Sequence, residues 1–246
     1  MRGKKLHKEA FDNAYIIHQQ AFLERKLRLT LLCKSHGVVH AIANRPSKKK
    51  GPLQLFTPMS VQLKLGKQLA TVHAIEPQGY LPMYQAKALL AGMYFNELIY
   101  RLCSPQSDDD TLYNCYEQHI AGLLQVKEQT LHIRLFEHKL QIILGFALHY
   151  TCLDHPSHYF SYDPEHGLIP APNSHPEKIP RDILQALANE QWQDPNVQQL
   201  SKHIFAKVVK NLLGEQSLAI NQLFKSPHTC NSTQATYNTE EGVVTC

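Results

Sequence analysis

At 246 residues, with 43% hydrophobic and 19% charged side chains, the chain has the size and composition of one large or two modest globular domains. Its 11 glycines, 14 prolines and 6 dispersed cysteines exclude a collagen-like, a disordered or a disulfide-framed protein. The net charge of +4 is unevenly distributed: residues 1–80 carry 14 Lys+Arg against 4 Asp+Glu, and residues 81–246 carry 11 against 17. A basic first third joined to an acidic remainder points to two parts with different partners, and phosphate is the usual counterpart of so basic a surface.

The N-terminal MRGKKLHKEAF is charged and no apolar run follows it, which is not the pattern of a signal peptide. No stretch approaches the ~18 apolar residues of a membrane span. A cytoplasmic protein with no membrane partner is expected. Cys33, Cys103, Cys115, Cys152, Cys230 and Cys246 form no C-x-x-C pair and read as free thiols.

Residues 13–76 read as β structure. AYIIHQ (14–19), LRLTLLCK (27–34), GVVHAIA (37–43), LQLFTPMSVQLKL (53–65) and QLATVHAIE (68–76) are short runs rich in aliphatic and branched side chains. Alternation is cleanest at Val61, Leu63 and Leu65 against Gln62 and Lys64, and His36-Gly37 and Gly66-Lys67 supply turns. Five strands before any helix suit a small closed barrel, for which the OB-fold and an oligonucleotide ligand are the first expectation. Between the third and fourth strands, NRPSKKKGPLQLFTP (44–58) holds Arg45, Lys48, Lys49 and Lys50 with no acid among them. Such a loop neutralises phosphates without regard to sequence, and Arg28, Lys34 and Lys64 on the strands extend its track. Tyr15, Phe22 and Phe56 are available for base stacking, although Phe56 reads better as core.

Past Pro82 the period becomes helical. QAKALLAGMYFNELIYRL (85–102) places Leu90, Met93, Glu97 and Arg101 on one stripe. Asp110 is suited to cap a second helix through Leu124, and a third, about 129–144, ends at Gly145. Residues 153–180 contain Pro156, Pro164, Pro170, Pro172, Pro176 and Pro180 and predict an irregular excursion. Helices resume at 181–192 and at 195–213, the latter with Asp194 as cap, Pro195 in its first position and Gly214 after its end. Ser217 can cap a last helix to Lys225. The fold class expected is α+β: an OB barrel over 1–80, an all-α domain with an irregular excursion over 81–226, and a disordered tail over 227–246.

Taken together, LQLFTPMSVQLKLGK, GMYFNELIYRL, RLFEHKLQIILGF, HYFSYDPEHGLI and KNLLGEQSLAINQLF, in this order and spacing, resemble the bacterial RecO family of DNA repair proteins over roughly residues 13–225. The resemblance implies a recombination mediator without catalysis or cofactor. It implies binding to single- and double-stranded DNA, annealing of complementary strands, a grip on the acidic C-terminal tail of single-strand-binding protein, and work with RecR to load RecA. Arg45, Lys48, Lys49 and Lys50 match the family's basic loop, which is shorter here. The family's Arg-Arg-Phe-Glu pattern is Arg134-Leu135-Phe136-Glu137 in this chain, and a Lys-Ser-Arg run before its last helix is Ala219-Ile220-Asn221. An acidic tail that ends in an aromatic residue and a carboxylate needs a cation beside an apolar pocket, and Arg134 with Leu144 is the expected pair.

Fifteen histidines require metal to be weighed. Cys152, His155 and His158 stand together in sequence, but only His166 and His175 follow where a second pair of zinc ligands belongs, so no metal is expected. Asp108-Asp109-Asp110 reads as a helix-start cluster, and no nucleophile motif, P-loop or dinucleotide fingerprint is present. The alternatives are an OB-fold RNA-binding protein and a metal-dependent hydrolase.

Overall fold

The structure, a computed structural model, describes residues 11–47, 51–66, 69–79, 82–105 and 110–220. The expected tail over 227–246 and most of the expected last helix lie outside them. Five strands, β1 (Phe11–Leu23), β2 (Lys26–Cys33), β3 (Gly37–Asn44), β4 (Met59–Lys64) and β5 (Ala70–Pro77), close into a barrel in the order β1-β2-β3-β5-β4. All neighbours are antiparallel except β3 and β5, which run parallel with Ala41 opposite Ala70. This is the OB-fold arrangement. Alternate residues of each strand point inward, among them Ile16, Leu29, Leu31, Val61 and Val72, with alanines at 14, 41, 43 and 70 where the wall is tightest.

Two strands differ from expectation. β1 runs on to Leu23 because its outer half pairs with β2 around a two-residue turn, with Leu23 opposite Lys26. The fourth strand starts only at Met59, since Phe56 adopts φ 62 in the left-handed region and turns the chain out of the sheet. Its ring is buried against α1 (Ala86–Leu102). A Cβ on Gly92 of that helix would stand 2.9 Å from the Phe56 ring, so only glycine leaves room for it.

The barrel's outer wall is half of a second core. Tyr15, Ile17, Leu32 and Val38 face α1, α2 (Thr111–Gly122) and α3 (Gln129–Ile143), where Phe95, Tyr116 and Phe136 are fully buried. A bulge makes this possible. Ile16 pairs with Leu31 but His18 pairs with Thr30, so Ile17 is an extra residue in β1. Its carbonyl accepts a hydrogen bond from the buried Asn96 Nδ2 at 3.0 Å, with that of Ile16 at 3.4 Å, and Asn96 Oδ1 accepts from the Tyr116 hydroxyl at 2.7 Å.

The proline-rich excursion is ordered where the sequence predicted irregularity. After a 3-10 turn (Tyr150–Asp154), β6 (Tyr159–Asp163), β7 (Gly167–Ala171) and β8 (Ile179–Pro180) form an antiparallel sheet in the order β7-β6-β8. Pro170 and Pro180 lie on its two edge strands, where a missing N–H is tolerated. α4 (Arg181–Ala188) and α5 (Pro195–Leu213) cover it, with Leu184 and Ile204 packed on Phe160. Asp194 caps α5 by accepting from Asn196 N at 2.8 Å, and Gly214 ends it at φ 60. Asp110 stands at the start of α2 but makes no side-chain cap bond. The chain then returns to α1: Glu97 accepts from the backbone N–H of Ala219 at 2.6 Å and of Ile220 at 2.9 Å, and Arg101 donates to the Ser217 carbonyl at 2.9 Å.

Asn96→Ala leaves the Ile17 carbonyl and the Tyr116 hydroxyl without partners in a sealed interface, at a cost of roughly 1–3 kcal/mol. Tyr116→Phe is expected to cost less. Urea unfolding should show the double variant less destabilised than the two single losses combined, because both act on one network. Strict additivity would show that the network does not couple the helices to the barrel.

Candidate nucleic-acid interface

The β-register sets the exposed cations in a line. Gln20 lies opposite Arg28, Arg28 opposite Ile42, Ile42 opposite Thr71, and Thr71 opposite Lys64. Directly opposed residues project from the same face, and four strands at about 4.8 Å spacing make a band roughly 14 Å wide from Arg28 to Lys64. Gln20, Arg28, Thr71 and Lys64 are exposed and Ile42 is half-buried. The β1–β2 turn brings Arg25 and Lys26 alongside, since Arg45 N donates to the Arg25 carbonyl at 2.8 Å and Lys26 lies opposite Asn44. Glu24 in the same turn offsets one charge.

The sequence-predicted cations therefore divide. Arg28 and Lys64 share one face, and Arg45 meets Arg25 and Lys26, which sequence reasoning missed, where the β1–β2 turn reaches the end of β3. Only the register of the hairpin turn against the end of β3 reveals that. Lys34 lies six residues beyond Arg28, about 20 Å along the strand, with its ammonium 5.9 Å from the Tyr113 ring centre on the helical side. Lys48, Lys49 and Lys50 lie outside the described residues.

Toward the helices the same outer face changes character. The next row is His18, Thr30 and His40, with Thr30 Oγ1 and His40 Nδ1 3.1 Å apart, and beyond it come the buried Ile17, Leu32 and Val38. Of the three expected aromatics, Tyr15 and Phe56 are core. Phe22 is 43% exposed with the Arg28 guanidinium 5.3 Å from its ring centre.

Arg134, the cation expected to meet an acidic tail, is largely buried. Its side chain is only 11% exposed and lies 2.5 Å from a Glu137 oxygen, one helical turn on, while Glu137 also accepts from the Tyr94 hydroxyl at 2.7 Å. Neither Arg134 Nη1 nor Glu137 Oε2 makes an aligned hydrogen bond. Burial consequently outweighs the Arg134 charge and pushes the Glu137 carboxyl up to about 7. Leu144 is half-buried against the main core, and the exposed apolar surface at that end of α3 belongs to Ile142 and Ile143. A groove of about 600 Å³ runs beside Leu131, Leu135 and Trp192, but Glu190 and Asp194 rim it, which disfavours an acidic peptide.

Cys152, His155, His158, His166 and His175 do not converge. Among the described residues no group of three or more His, Cys, Asp or Glu is placed to hold a metal ion. His155 Nδ1 lies 2.8 Å from the Ser157 hydroxyl, and His166 Nδ1 2.9 Å from Asp163. Among the described residues no helix is long and apolar enough to cross a membrane.

A family model described as Recombination protein O N terminal matches residues 8–80, and one described as Recombination protein O C terminal matches residues 83–153. The first therefore ends where the barrel gives way to the helices. Curated relatives carry the name DNA repair protein RecO. That of Coxiella burnetii (strain RSA 331 / Henzerling II) is 29% identical over 87% of this chain and 97% of its own length. Those of Psychromonas ingrahamii and Nitrosospira multiformis are 28% and 26% identical, over 86% and 92% of this chain and 96% and 98% of their own lengths.

The Glu137 environment makes a pH prediction. With its carboxyl raised from the ordinary 4.5 to about 7, the folded protein holds that proton more tightly than the unfolded chain between those values. This contribution is therefore fully present below the unfolded value and is lost as pH rises through the folded one. The stability of Glu137→Gln relative to wild type, measured by urea unfolding, should increase as pH rises from about 5 to about 8. A difference constant with pH would show that Arg134 keeps the carboxyl ionised throughout.

Proposed function

The chain belongs to the RecO family of DNA repair proteins, and from that premise we propose that it is a non-catalytic recombination mediator whose barrel holds DNA by its phosphates. The observation that carries this reading is the register line from Arg28 to Lys64, with Arg25, Lys26 and Arg45 at its end. These cations stand on a part of the outer wall that the helices leave uncovered. Lys and Arg on a barrel face neutralise a backbone without reading bases, so single and double strands both bind and affinity falls with salt. Two strands screened on one surface can anneal.

The helical part serves protein partners in this reading. The acidic tail of single-strand-binding protein would meet α3, with Ile142, Ile143 and Leu144 as the apolar surface, and would have to draw Arg134 away from Glu137. Docking there raises the local concentration of the barrel on coated DNA, so weak phosphate contacts suffice. RecR and, through it, RecA are the further partners. A cytoplasmic, nucleoid-associated location belongs to the same proposal.

Arg28→Ala with Lys64→Ala should weaken binding to single- and double-stranded DNA of any sequence. The log–log salt dependence should become shallower by about 2, since each phosphate contact contributes about 0.9. Titrations of labelled oligonucleotides at several salt concentrations measure it. An unchanged slope in the folded variant would place the DNA path elsewhere.

A further inference from the structure

Tyr100 stands on the barrel-facing side of α1 at the edge of the seam, 44% exposed, while Tyr15, Tyr113 and Tyr116 at the same barrel–helix seam are buried. Its ring stacks on that of His18, with centroids 4.4 Å apart and planes 23° from parallel. His18 lies opposite Thr30, and Arg28 is two residues from Thr30 on the same strand face. Such a diagonal neighbour is roughly 7–8 Å away. The stacked pair thus borders the cationic line directly, on its helical side, and His40 continues the row across β3.

We propose that the Tyr100–His18 stack is a platform for an unpaired base of single-stranded DNA, whose phosphates follow the line from Arg28 toward Lys64. This deepens the reading of that line as the DNA path and rests on it. An aromatic ring offers its face to any base, which suits a protein that binds without sequence preference. A duplex keeps its bases in their own stack and can use only the cations. The line therefore binds both forms, and the platform favours the single strand. Burial pushes the His18 ring below its ordinary pKa, so at neutral pH it is an uncharged aromatic surface. Asn96, one turn before Tyr100 on α1, bonds the bulge next to His18, so the platform exists only while the barrel and helices stay docked.

The test uses the full chain, a dT oligonucleotide and a blunt duplex. Tyr100→Leu should weaken the single strand about 5- to 150-fold, the range for one stacked base, and leave duplex affinity unchanged. Tyr100→Phe should match wild type on both. Equal loss on both forms, or no loss on the single strand, overturns the platform. Photo-crosslinking of wild type to a 5-iodouracil oligonucleotide gives a second readout that needs no variant: adducts on Tyr100 or His18 support it, and adducts confined to other residues overturn it. Arg28→Ala separates the two readings. Weaker binding of both forms keeps the cationic line as the path whatever Tyr100 does, whereas no effect on either form removes the line and the platform with it.

Discussion

The structure depends on how one extra residue in a strand is satisfied. A bulge leaves backbone groups that the neighbouring strand cannot pair, and at Ile17 those groups face a core sealed from water rather than solvent. Asn96 answers with its amide, and its own carbonyl is answered by Tyr116. One chain of hydrogen bonds thus runs from β1 through α1 to α2. An apolar residue in place of Asn96 would pack there, but it would leave the carbonyl unpaired. The polar network therefore fixes which helix meets the bulge, where hydrophobic burial alone would allow the helices to slide.

The bulge also explains how one face serves two purposes. At the bulge itself, Tyr15 and Ile17 of β1, Leu32 of β2 and Val38 of β3 are apolar and covered by helices. After it, the face passes through His18, Thr30 and His40 to Arg28 and Lys64. Among the described cations of the first third, Arg28 and Lys64 stand on that wall and Arg25, Lys26 and Arg45 on the turn and strand end beside it, while Lys34 lies toward the helices.

Much of this was legible in the sequence. Alternation at Val61 and Leu63 places β4, and Asp194, Pro195 and Gly214 place both ends of α5, because those signals are local. What depended on distant partners was not. AYIIHQ looks the same with or without a bulge. Phe56 in the left-handed region is held by Gly92, 36 residues on, and the apolar run before Met59 imitates a strand. Prolines hid β7 and β8 because they are acceptable only on edges, and a single sequence does not show which strand is an edge. The Arg134–Glu137 pair at i, i+3 could have been read from the helix period, but Tyr94 on another helix is what buries it. Arg25 and Lys26 become part of the site only through register.

Ten residues of α1 hold these parts together, and the helix period explains how. Gly92, Asn96 and Tyr100 recur every four residues and share one side, where they meet Phe56, the Ile17 carbonyl and the His18 ring, all on the barrel or the loop leading to it. Tyr94, Glu97 and Arg101, at spacings of three and four, share the other side and meet Glu137 and the backbone of residues 217–220. One stripe receives the barrel and the loop leading to it, and the other the return of the chain and the buried pair of α3. Rotating α1 by one residue, about 100°, would present Met93 to Phe56 and Glu97 to the bulge carbonyls. That places a bulky side chain in the tightest contact and an acceptor against an acceptor. The barrel and the helical core therefore fix α1 in the same rotation, and each depends on it to meet the other.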